Sequence, residues 1–254
     1  MAFRPVLALC AVLLLAASVA CGGGGDSSPE PTSEPVATPT EAPTTVPTSA
    51  VSNSFEPDLS APVSRFAVHQ PDLGKGYLTD VQRTFELTAE DYAGTTLFAD
   101  PAEGIKLLNE WGYRQGYETS YQPEGYAQAV LNGSYYISVE VHLFSSVEGA
   151  QQAFDFFEDR LATTSANVTA EPIGNQSSAW RLTSGTVQGS TVQGAYHRII
   201  SRRGNLVSVV MTWGADPFMT VDHVLNWARV VDAKAVGDRE TIEPTPSGAA
   251  SATQ

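Results

Sequence analysis

Four histidines, His69, His142, His197 and His223, are the chain's clearest candidates for acid–base or metal chemistry, and they are scattered singly along 254 residues. Glu140 and His142 lie two apart in YYISVEVHLF (135–144), so an extended strand puts both on one face. With His197 on a neighbouring strand, that face could assemble a metal or acid–base site; it reads equally as the solvated side of a sheet. Asp155, Glu158 and Asp159 sit at helical spacing and could hold a cation, or form the wet face of an amphipathic helix. No GxSxG, HExxH, GxxxxGKS/T, GxGxxG or EF-hand loop occurs. The chain is therefore expected to have no catalytic residue, metal site or cofactor, and not to be an enzyme. The alternative is a hydrolase whose site is built on the polar face of the sheet.

One stretch stands out. WGYRQGYETSYQPEGY (111–126) carries Trp111, Tyr113, Tyr117, Tyr121 and Tyr126 among glycines, with Tyr135 and Tyr136 soon after. Rings with polar tips suit stacking on a sugar or docking on a protein, which makes these five the candidate ligand-binding residues. They also suit filling a core between a helix and the next strand.

The remaining reactive group is a thiol. The chain has two cysteines, Cys10 and Cys21. Arg4 precedes an apolar run of about twelve residues, Val6 to Ala17, which fits a signal-peptide core and falls short of the roughly 20 residues a membrane span needs. Residues 18–21, SVAC, resemble the bacterial lipobox, with Ser18 where leucine is commoner. That resemblance implies cleavage after residue 20 and acylation of Cys21, hence a membrane-anchored lipoprotein on the extracytoplasmic side of a cell envelope. Cys10 leaves with the signal, so Cys21 has no disulfide partner in the mature chain.

Composition then divides the chain. Residues 21–62 are rich in Gly, Pro, Ser and Thr and hold few large apolar groups, so they read as a disordered tether, about 100 Å long when stretched and open to O-glycosylation. Residues 63–236 form one globular region, long enough for an ordinary core without disulfides, and 237–254 read as a polar tail. The net charge of −14 argues against a nucleic-acid or anionic-lipid surface.

Within the globular region the elements follow from caps and periodicity. Asp100-Pro101-Ala102-Glu103 opens a helix that Gly112 stops; Ser145-Ser146-Val147-Glu148 opens a second, with Val147, Ala150, Phe154, Phe157 and Leu161 on one face; Asp216-Pro217 opens a third, ending at Gly237. Thr88 starts a short turn. Residues 135–144 alternate as a half-buried strand, with Tyr135, Ile137, Val139, Val141 and Leu143 on the core side. Residues 177–185, 193–204 and 205–214 read as a three-stranded meander, turning at Gly204-Asn205, with Trp180, Leu182, Val207, Val209, Met211 and Trp213 facing the core. Two weaker strands fall near 77–87 and 117–122. These elements predict an α+β domain: a single antiparallel β-sheet with amphipathic helices packed on it.

A strand, then SSVEGAQQAF, then a Trp-containing meander and a C-terminal helix is similar to the PsbP-like (Mog1/PsbP) domains of small actinobacterial lipoproteins, over about 117–236. Residues 65–116 are extra to that pattern. The resemblance implies a PsbP-like sandwich with an accessory, binding or assembly role and no shared catalytic centre. The expected function is a lipid-anchored, non-catalytic interaction or ligand-binding module, its partners the membrane through the lipid and an envelope protein or glycan.

Overall fold

The computed structural model describes residues 55–95 and 97–242; the signal segment, Cys21 and most of the tether lie outside them, as does the tail beyond 242. Short 3-10 turns at Val63–Phe66 and Gln70–Asp72 lead into β1 (Tyr77–Thr79), a 3-10 turn at Val81–Arg83 and β2 (Phe85–Leu87). The chain continues through α1 (Ala89–Ala93), α2 (Pro101–Glu110), β3 (Tyr113–Pro123), α3 (Tyr126–Leu131), β4 (Tyr135–Phe144) and α4 (Val147–Ala162). It ends with β5 (Ala166–Asn167), β6 (Gln176–Thr186), β7 (Gln193–Arg203), β8 (Leu206–Ala215) and α5 (Val221–Val236).

The strands form one antiparallel sheet in the order β1-β3-β4-β8-β7-β6-β5, with β2 also paired to β3. The domain is α+β, as expected, and its helices cover both faces. Alternation along β4 sends Ile137, Val139, Val141 and Leu143 against α5 (Val224, Leu225, Ala228, Val231) and the first 3-10 turn (Val63, Phe66). On the other face, Phe144, Trp180, Ile200 and Val207 pack under Ala150, Phe154, Phe157 and Leu161 of α4, with Tyr92 and Leu108 from α1 and α2. The β4 face expected to be solvated is therefore closed at this end, and His142 is fully buried.

Several boundaries differ from the sequence reading for local reasons. Asp100 caps α2 through Ala102 N–H, but the cap of α4 is Ser146 rather than Ser145: the Ser146 hydroxyl accepts from Gly149 N–H. Asp216-Pro217 starts only a 3-10 turn; Met219 is extended, and α5 begins after Thr220, whose N–H is held by His223 Nδ1. The weak 77–87 strand is two three-residue strands separated by a turn, while the 117–122 strand is far longer. The sequence reading had no counterpart for α3 or β5.

The tether boundary also moves. Residues 55–62, read as tether, lie against the β7–β8 turn: Asn205 Nδ2 donates to Asp58 and to the carbonyl of Leu59, Leu59 N–H donates back to Asn205, and Arg202 pairs with Glu56 at 2.8 Å. Gly204 is required here, because a Cβ at that position would run into the Pro57 carbonyl. Proline and small polar residues suggested a free linker, but Arg203 and Asn205 capture its backbone and Arg202 the Glu56 carboxylate. At the other end Arg239, assigned to the tail, pairs with Asp72 at 2.9 Å, beside the buried Lys234–Asp72 pair at 2.6 Å.

Candidate functional site

The sheet separates the histidines. His142 sits on the α4 face of β4, whereas His197 is cross-strand to Thr212 on the α5 face, so the two cannot converge on one substrate. His197 is buried, which lowers its pKa and leaves it neutral near pH 7; its Nδ1 has no hydrogen-bond partner. His69 bonds the Ser64 carbonyl at 2.7 Å, and His223 stacks on Tyr135. Among the described residues no group of three His, Cys, Asp or Glu could hold a metal ion. Asp155 and Asp159 are exposed on α4, with Glu158 half-buried beside them.

The tyrosine stretch divides across the sheet. Trp111 is buried at the end of α2 against Phe156 and Phe157. Tyr117 and Tyr121 are buried on the α5 face, where the Tyr121 hydroxyl donates to the Val68 carbonyl at 2.9 Å. A register shift between Tyr113 and Gln115 turns Tyr113 to the opposite face, opposite Phe144 and stacked on Tyr92. Gly116 makes this possible, since a Cβ there would strike the Tyr113 hydroxyl and approach His142 Nδ1 to 2.9 Å. Of the five, Tyr126 alone contributes to a surface distant from these cores: on α3 it stacks against Trp213 and meets Tyr136 edge-on.

That surface is the half of the α4 face that α4 does not reach. Along β8 the side chains of Val209, Met211 and Trp213 are half-exposed while Leu206, Ser208, Val210 and Thr212 are buried. Of the β8 face assigned to the core, Val207 is buried, while Val209 packs on the α4-face core and Trp213 on Val130 and Val187 from half-exposed positions. Cross-strand pairing lays out two rows: Ser120, Ser138, Met211, Arg198 and Trp180, then Tyr136, Trp213, Tyr196 and Leu182. Tyr136, Tyr196, Arg198 and Leu182 are also half-exposed, so the rows form a trough between α4 and α3 with Met211 near its centre. Trp213 leans over Gly194, and its indole N–H has no partner.

The trough has an acidic end. Glu118 of β3 and Glu140 of β4 are directly opposite each other. Arg83 donates to Glu118 at 2.9 Å, and Glu140 lies 3.5 Å from His142 Nε2. Burial, reinforced by the Glu140 charge, pushes Glu118 up to about 7 despite Arg83. Two further buried polar atoms adjoin the pair without hydrogen-bond partners, His142 Nε2 and the Tyr92 hydroxyl. The hydroxyl stays protonated because burial raises its pKa well above the usual value, with Glu140 and Glu118 adding to the rise. This half-exposed mixture of aromatic, thioether and carboxylate groups on rigid strands can grip a ligand with both charge and apolar contact.

Sequence reasoning found Glu140 and Tyr126 but missed Arg83, Glu118 and Tyr136 as site residues, and assigned Met211 and Trp213 to the core. The signal available for Glu118 was its position, odd-numbered tyrosines on either side placing it on the opposite face of β3; pairing it with Glu140 required the register.

No family model matches the chain, and no curated protein matches it. Among solved structures, the extracellular domain of PknH from Mycobacterium tuberculosis is similar at 12% identity and a TM-score of 0.38, over 69% of this chain and 95% of that one. Among the described residues no helix is long and apolar enough to cross a membrane.

Proposed function

We propose that this chain is a lipid-anchored extracytoplasmic lipoprotein, acylated on Cys21, whose folded domain is a non-catalytic interaction or ligand-binding module of the cell envelope. The anchor reading rests on the apolar run Val6–Ala17 followed by SVAC. The binding reading rests on one observation: a half-exposed trough of Tyr136, Met211, Trp213, Tyr196 and Arg198 on a rigid sheet, acidic at one end through Glu118 and Glu140. A hydrolase using the histidines loses its support, because His142 and His197 lie on opposite faces. The finer fold reading, a PsbP-like (Mog1/PsbP) sandwich over about 117–236, belongs to the same proposal; the order of β4, α4, meander and α5 supports it.

Residues 55–62 lie beside the β7–β8 turn, and the aromatic end of the trough lies at the opposite end of β4 and β8, about 27 Å away along the strands. A partner can therefore reach the trough without meeting residues 55–62. Mass spectrometry of the mature N-terminus tests the anchor: a diacylated or triacylated Cys21 is expected, with Cys21→Ala released from the membrane fraction. An unmodified residue 21, or an alanine variant still in the membrane, contradicts it.

A further inference from the structure

We infer that the trough recognises a basic partner segment, a lysine or arginine side chain resting on Glu140 with an apolar neighbour on Met211. The inference rests on the binding reading above and specifies its ligand. Glu118 and Glu140 face each other on adjacent strands, and among the described residues the guanidinium that pairs with them is that of Arg83, committed to Glu118 at 2.8 Å. Glu140, its side chain 25% exposed, keeps its outer side open to solvent. Behind it His142, fully buried, aims Nε2 at the carboxylate from 3.5 Å, outside hydrogen-bond geometry, and the Tyr92 hydroxyl is equally without a partner. A second cation at Glu140 would balance the pair's charge in a half-desolvated site, where charge-assisted hydrogen bonds are strong.

The surroundings select the kind of cation. A divalent metal is disfavoured by the Arg83 guanidinium already in contact with Glu118 and by the lack of a third carboxylate or histidine at ligand spacing among the described residues. An organic cation on an aliphatic stem suits the floor better, because Ser138, Met211 and Val209 lie beside Glu140 and Tyr136 follows along the strand. Arg198, about 10 Å across the sheet from β4, gives the trough opposite polarity at its other side and so favours a peptide that spans it over an isolated ion. With residues 1–20, which carry Arg4, cleaved as proposed above, the occupant belongs to another molecule: residues 21–54 and 243–254 contain no Lys, Arg or His. The chain's net charge of −14 favours a basic partner and opposes a second copy.

The chain's three methionines make the test direct. With methyl-13C-methionine in the full-length chain, Met211 reports the trough and Met219, 8% exposed under Gly214, serves as an internal control. The probes are Nα-acetyl-arginine methylamide and its neutral isostere Nα-acetyl-citrulline methylamide, titrated over the same concentrations. The inference predicts that the arginine probe shifts Met211 saturably without moving Met219, and binds at least about fivefold tighter than citrulline. The preference should vanish in Glu140→Gln. Equal shifts of Met211 by both probes would overturn the basic-partner inference and leave the trough as a binding surface. No shift of Met211 with either probe would overturn both.

Discussion

Replacing Glu140 with Gln removes the charge facing Glu118 while keeping the side chain's size. Residues directly opposite in an antiparallel pair bring their carboxylates within about 5–6 Å. At an effective dielectric of about 20, two unit charges at that distance repel by about 3 kcal/mol, or about two pKa units. Glu140 is a quarter exposed, so solvent screens part of this. Burial is the larger cause of the Glu118 shift. A fall of about one unit from about 7 is therefore expected. Carboxyl 13C NMR titration of Glu118 in the two proteins measures it directly.

The stability consequence has a fixed sign. Because folding raises Glu118 above its ordinary 4.5, the group favours the fold most below pH 4.5, and that contribution is lost as pH rises through about 7. Glu140→Gln should recover about 1 kcal/mol at pH 8 and nothing at pH 4, read as denaturation midpoints. A wild-type Glu118 titrating near 4.5 would refute the buried pair; a Glu118 value unmoved by the substitution would refute the cross-strand coupling.

Three other outcomes follow from packing. Gly116→Ala forces a Cβ against the Tyr113 hydroxyl and His142, and should cost about 2–4 kcal/mol in chemical denaturation, whereas Gly185→Ser, with nothing within 4 Å but a left-handed φ of 69°, should cost about 1 kcal/mol. A chain beginning at residue 63 should unfold at a midpoint several degrees below one beginning at 55, since Arg202, Arg203 and Asn205 lose Glu56, the Phe55 carbonyl and Asp58. Lys234→Met leaves Asp72, its side chain 2% exposed, with Arg239 as its remaining cation beside the His69 N–H, and should destabilise the fold by about 2–4 kcal/mol, with Asp72→Asn in the same chain restoring part of the loss.

Much of the fold was legible because its signals are local. The alternation in 135–144, the Asp100-Pro101 cap and the Phe154/Phe157/Leu161 stripe each follow from neighbouring residues. The site depended on long-range facts. Val209, Met211 and Trp213 carry the same apolar pattern as Val207, and only the extent of α4 decides that Val207 is covered while the others stay half-open. The Glu118–Glu140 pairing depends on the β3–β4 register, which a bulge near Tyr113 shifts. Residues 55–62 looked like linker because their capture comes from side chains about 146 positions away, as in Asn205 with Leu59.

The trough is proposed above as the domain's working surface. A photo-crosslinking amino acid at Met211 of the full chain in its native host, with the same group at exposed Asp159 on α4 as control, tests this most directly. That role predicts a discrete adduct from position 211 that position 159 does not give and that weakens with Glu140→Gln. No adduct at 211, or the same adducts from both positions, would contradict it.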